Sequence, residues 1–117
     1  MRALVAVVAL GLFPCSTLAK DPDCTGADRY PASMAFVHLK NAGMTDNDKI
    51  DFTRTTVKRL ASERVGKDLY RQVHLVRFTE VSGGTLEVIA VNDASSAECS
   101  RSGVEAYVVA RTLGEHE

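Results

Sequence analysis

Three histidines, three cysteines and a serine-rich stretch near the chain end are the residues here whose types could do chemistry. His38, His74 and His116 do not share metal-ligand spacing, and the only acids near any of them, Glu115 and Glu117, stand at the end of the chain. A zinc site needs three or four ligands held on rigid elements, so no metal is expected. Nucleophilic catalysis needs a serine or cysteine oriented by a base. Ser100-Arg101-Ser102-Gly103 has the outline of a nucleophile elbow, but Cys99 stands where its first glycine belongs and no strand-turn-helix follows. The one Gly-Gly pair, Gly83-Gly84, reads as a hairpin turn rather than a phosphate cradle, and no cofactor is expected. His74 remains as a candidate base for a small hydrolase working with carboxylates. Its alternation with its neighbours makes it a surface or half-buried strand residue, and Glu80, Glu87 and Glu105 fit a solvent-facing side of the same strands.

The cysteines depend on how the chain begins. Met1-Arg2 gives a positive start, Ala3 to Phe13 is an uncharged apolar run, and Ser16-Thr17-Leu18-Ala19 offers small residues at the positions a signal peptidase inspects. That is the pattern of a secretory signal over 1–19, with cleavage after Ala19. The run is too short to cross a bilayer, which takes about 20 residues. Pro14 occupies the place before Cys15 where lipid attachment wants a small residue, so Cys15 leaves with the leader. Cys24 and Cys99 remain, and in an oxidising compartment such a pair is expected to form a disulfide. It would close a loop of about 75 residues, worth roughly 4 kcal/mol in the chain-entropy account.

The expected product is one small exported domain, 20–117, periplasmic or secreted, with no membrane span. Formal net charge is −1 over the whole chain, with mixed signs, no tryptophan and only 6% aromatic residues. This composition offers no basic footprint for nucleic acid and no stacking surface for bases or sugars.

What positions these residues is read from periodicity. The stretch 33–40 (SMAFVHLK) alternates as a strand, although Pro31 before it and Asn41-Ala42-Gly43 after it suit a short helix as well. Thr45-Asp46-Asn47-Asp48 resembles a helix start, and Ile50, Val57, Leu60, Ala61 and Val65 fall near one helical face, giving a main helix over 46–65 closed by Gly66. The β-branched Thr53, Thr55, Thr56 and Val57 support another division, a strand over 50–58 and a helix over 60–72. Alternation in 72–80 and 85–92 around Ser82-Gly83-Gly84 predicts a β-hairpin, and 104–112 a last strand before a loose tail. The sum is an α+β domain, an antiparallel sheet of three to four strands packed against one main helix and tied by a single disulfide.

The polar connection 93–102 would be pinned by Cys99, and loops fixed to a rigid scaffold are where binding residues gather. Asp93, Ser95, Ser96, Glu98 and Arg101 are therefore the candidate contacts for a partner, with Ser95 and Glu98 also spaced as a capping box. Tyr70, Phe78 and Tyr107 are candidate core residues.

Leu69-Tyr70-Arg71-Gln72-Val73, together with Asp93-Ala94-Ser95-Ser96 and Glu98-Cys99-Ser100, resembles small exported proteins of proteobacteria. That resemblance implies a bacterial envelope setting and no catalytic or binding residues. The order of elements also looks cystatin-like, but position 76 is valine where the cystatin inhibitory hairpin needs glycine. The functional expectation is a non-enzymatic protein-binding module, a periplasmic inhibitor or immunity factor. The alternatives are the small hydrolase and a structural envelope protein.

Overall fold

The computed structural model of the chain describes residues 21–109; the leader expected over 1–19, and residues 110–117 with His116, lie outside the described residues. One helix, α1 (Tyr30–Asn41), precedes four strands, β1 (Ile50–Gly66), β2 (Leu69–Glu80), β3 (Thr85–Ala94) and β4 (Glu105–Val108). The strands form one antiparallel sheet in the order β1-β2-β3-β4. The α+β class, the sheet against one helix and the Cys24–Cys99 disulfide are as expected from sequence. No helix among the described residues is long and apolar enough to cross a membrane.

The helix, however, is elsewhere. Residues 33–40 are not a strand but the body of α1. Pro31 in the first turn presets the helical φ at the cost of no hydrogen bond. Ala32, Ala35 and Leu39 then bury one face, and Gly43 (φ 76°) allows the chain to leave. His38 and Lys40 sit in the last turn, where the helix dipole favours positive charge. The period-2 pattern of 33–40 arises because Met34 and Phe36 are also partly buried against the core, widening the apolar face of α1.

The predicted helix over 46–65 is overturned in turn, and so is the helix over 60–72. Asp46 caps only a single 3₁₀ turn, Asn47–Lys49, accepting from the Asn47 N–H at 2.8 Å. From Ile50 the chain is strand for seventeen residues. Register explains the misleading helical stripe. Between Asp51 and Thr56, β1 advances five residues while β2 advances two, and single-residue shifts follow at Arg59/Ala61 and Arg64/Gly66. Each shift is odd, so each moves the alternation to the other face. Ile50 and Val57 thereby reach the same face of the sheet seven residues apart, which imitates a helix.

The hairpin expected over 72–92 is present, with strands extended to Leu69 and Ala94. β4 is shorter than the strand predicted over 104–112, covering Glu105–Val108, and residues from 110 onward lie outside the described part. Even-numbered residues of β2 and β3 form the covered face, where Val76, Phe78, Val88 and Ala90 meet Ala32, Ala35, Leu39, Ile50 and Val104. Two alanines on the contacting side of α1 let the helix approach the sheet closely.

Candidate functional site

Helix α1 lies over β2, β3 and β4, and β1 extends beyond its cover. The space between α1 and the start of β1 is a groove of about 680 Å³. Its floor is Phe78 and Ala32, and its walls are Phe36 and Val37 from α1 and Phe52 from β1. The rings form an edge-to-face set, with Phe36 to Phe52 at 4.9 Å and 79° and Phe36 to Phe78 at 6.1 Å and 62°. Phe78 is buried, whereas Phe52 remains 42% exposed. Phe52 reaches this place because it lies in the irregular segment between Asp51 and Thr56, where the Asp51 carboxylate accepts from the Thr53 N–H at 3.1 Å. Asp28, Lys40 and Asn47 add polar groups to the lining. Lys40 also donates to the Asn47 side chain. Along its outer side β1 pairs with no strand among the described residues, so the groove opens beside an unpaired strand edge. That strand is basic, carrying Arg54, Lys58, Arg59 and Arg64 against Asp51 and Glu63, with Arg59 paired to Asp21.

The candidate contacts of 93–102 are brought together in one loop, and each has a partner within the chain. Asp93 takes a two-pronged ion pair from Arg71, at 2.9 and 3.2 Å, which pushes the guanidinium pKa up. Ser95 is buried, and its hydroxyl accepts from the N–H groups of Ala97 and Glu98 at 3.2 Å, but no helical turn follows and the Ser95 N–H donates to the Glu98 carbonyl, so the expected capping box does not form. Ser96 donates to Asp68 in the β1–β2 turn from both its N–H (3.0 Å) and its hydroxyl (2.8 Å), holding that carboxyl below its usual range. Glu98 and Arg101 face each other at 3.8 Å, and the Arg101 N–H donates to the Asp93 carbonyl. Arg71, Asp93, Ser102 and Glu105 also line a polar hollow of about 570 Å³.

His74 is fully buried, where sequence placed it at or near the surface. Neither ring nitrogen has a hydrogen-bond partner. Burial first, and the charge of Arg59 on the neighbouring strand second, hold its pKa below the ordinary value, with Asp23 opposing. A general base must reach the proton it removes, and substrate has no access to this ring. Gln72 and Asn92 flank it on the same face; Gln72 donates to the Pro22 carbonyl and the Ser62 hydroxyl, both at 3.0 Å, and Asn92 to the Cys99 carbonyl at 2.7 Å. His38 stands apart, its Nε2 2.9 Å from the Val104 carbonyl. No group of three metal-ligating side chains occurs among the described residues.

Sequence reasoning missed Phe36, Val37 and Phe52 as a site. The signal was there, three apolar residues within two elements that leave them partly exposed, but both elements were assigned the wrong period. Of the expected core aromatics, Tyr70 and Phe78 are buried and Tyr107 is 54% exposed.

No known family, curated protein or solved structure matches this chain.

Proposed function

We propose that this protein is an exported, non-enzymatic protein-binding module, of the kind that masks another protein's active site as a periplasmic inhibitor or immunity factor. The observation that carries the reading is the aromatic groove of Phe36, Phe52 and Phe78 opening beside the free edge of β1. An extended segment added along an exposed edge gains main-chain hydrogen bonds, and pockets for alternate side chains give it specificity. Here the pocket suits one bulky apolar side chain, and the basic edge favours acidic neighbours. The ligand chemistry is thus an extended acidic segment of another protein carrying an aromatic or large aliphatic anchor. Export rests on the 1–19 leader pattern and agrees with a Cys24–Cys99 bond, which persists in oxidising compartments.

Peptides selected from a random library against the purified protein test the site. They should share a bulky apolar residue flanked by acids, and Phe52→Asp should weaken them about tenfold or more, as loss of a central anchor does. Phe52 is exposed enough for the variant to fold. Selected peptides indifferent to Phe52→Asp would overturn the groove reading. Intact mass of the secreted protein tests export: it should begin at Lys20 and gain two hydrogens on reduction. A species retaining Cys15 or carrying lipid would refute the leader assignment.

A further inference from the structure

The second face of the sheet, turned away from α1, carries a pattern the groove does not use. Along β2 and β3 the directly opposed residues on this face are Arg71–Asp93, Val73–Val91, Leu75–Ile89 and Arg77–Glu87. The outer two are ion pairs, at 2.9 Å for Arg71–Asp93 and 2.8 Å from the Arg77 Nε to Glu87. The inner two are apolar. The face has no element over it among the described residues: the side chains of Arg71 and Arg77 are 55% and 53% exposed, Tyr107 on β4 is 54% exposed, and Val73, Leu75, Ile89 and Val91 between them are partly buried by their neighbours in the sheet.

The pattern is symmetric about the line running between β2 and β3. Rotating a second copy by 180° about an axis parallel to the strands, and laying it face to face, brings its β3 over β2 and its β2 over β3. Leu75 then meets Ile89 of the other copy, and Val73 meets Val91. Each arginine comes over the other copy's carboxylate, and Lys58, opposite Leu75 on β1, comes over the Tyr107 ring opposite Ile89 on β4. We infer that this open face is a homodimer interface, two copies of the chain packed sheet to sheet through Val73, Leu75, Ile89 and Val91 with the two arginine–carboxylate pairs shared across it. Closed two-fold contacts of this kind demand a surface complementary to itself, and cross-strand pairs that are apolar with apolar and cation with anion meet it here. From strand spacing and rise the face spans roughly 20 by 25 Å, burying on the order of 1,000 Å² over both copies, the lower bound for a specific interface. In such a dimer the apolar rows provide the attraction and the charges the orientation.

Sedimentation equilibrium on the purified, disulfide-bonded protein tests this. A concentration-dependent monomer–dimer equilibrium is expected, and Leu75→Lys, which sets an ammonium at the centre, should weaken it about tenfold or more. The sharper test uses two variants that should each fail alone. Arg77→Glu gives a chain with two acids at that row, and Glu87→Arg gives one with two guanidiniums. Each should be monomeric where the parent dimerises, and an equimolar mixture should recover a heterodimer. Circular dichroism confirms that each variant folds. A parent that stays monomeric at millimolar concentration, a dimer indifferent to Leu75→Lys, or singles that fail to associate on mixing would each overturn the assignment. Peptide binding at the groove, on the opposite face, should be unchanged in all three variants, so failure here leaves that reading separable.

Discussion

Along β2 the covered face changes character between His74 and Val76. Val76 and Phe78 lie under α1 in a wholly apolar contact with Ala32, Ala35 and Leu39. Gln72 and His74 are equally inaccessible, but beside them runs the extended segment 21–25, which offers backbone carbonyls and the disulfide instead of apolar side chains. The Pro22 carbonyl accepts from Gln72 at 3.0 Å and from Arg59 at 3.2 Å, and Asp21 lies 3.8 Å from Arg59. A helix covers a sheet with a row of side chains. An extended strap covers it with peptide groups, which need polar partners below. The lesson is that one end of this domain is held by packing and the other by a covalent bond with a few hydrogen bonds, and the two ends should answer differently to perturbation.

The largest difference should come from the disulfide. Replacing Cys24 and Cys99 by serine should cost about 4 kcal/mol, from the loop of 75 residues that the bond closes. Stability of small domains is about 5–15 kcal/mol, so this is a large share. Urea denaturation measures the loss, and amide exchange should show it beginning in the strap half, with Gln72, His74 and Asn92 losing protection before Val76 and Val88. A variant that loosens the helix half first would contradict the division.

Leu39→Ala tests the packed end. It removes a buried side chain from the contact of α1 with the sheet and should cost about 3 kcal/mol. The disulfide should remain formed and the His74 imidazole should keep its titration, both readable by mass and by NMR. A shift in the His74 titration would mean that the two ends are coupled more tightly than their separate contacts imply.

His74→Leu should act the other way, by about 1 kcal/mol of added stability near pH 7, because it removes two ring nitrogens buried without partners. It should also remove a pH dependence. The folded state holds the imidazole neutral, with its pKa below the unfolded value of about 6.5. Between these two values the unfolded chain binds the proton and the folded one does not. The stability tied to this group is therefore complete above pH 6.5 and is lost as pH falls below that towards the folded pKa. Urea midpoints at pH 7.5 and 5 should differ less in His74→Leu than in the parent.

The parts legible in sequence follow the same division. The β2–β3 hairpin alternates cleanly because both strands have neighbours on each side and one face under cover, so residues from Gln72 to Asn92 obey period two. β1 is an edge strand with three register shifts, and the pattern that would have revealed it is interrupted at each one. The α1 stretch was ambiguous for another reason: Met34, outside the stripe of Ala32, Ala35, Phe36 and Leu39, is partly buried too. Because α1 and β1 form the groove walls, the same two misreadings hid the site. The disulfide was legible from counting, on the expectation that Cys15 leaves with a leader. The burial of His74 was not, since alternation tells which residues share a face and not which face the strap will cover.

The smallest expected effect concerns the clasp at the strap end. Asp68 sits at positive φ (49°) in the turn between β1 and β2, a conformation most side chains avoid, and its carboxylate accepts both donors of Ser96. The contact joins the turn to the loop that carries Cys99, so it ties the long first hairpin to the disulfide-bound part of the chain. Ser96→Ala leaves the N–H donor and removes the hydroxyl. The midpoint of thermal unfolding should barely move, because the carboxylate is exposed and water replaces the hydroxyl. Local opening should rise: the Ser96-position amide and those of the 67–69 turn should exchange faster, with no change at Val76 or Val88. Acid should imitate the variant. Since Ser96 keeps the Asp68 carboxyl below its usual range, the clasp should open at a lower pH than that at which a free aspartate takes up its proton. If exchange at the turn were unchanged in Ser96→Ala, the hairpin would be held by its strand pairing alone, and the disulfide's influence would end at the loop.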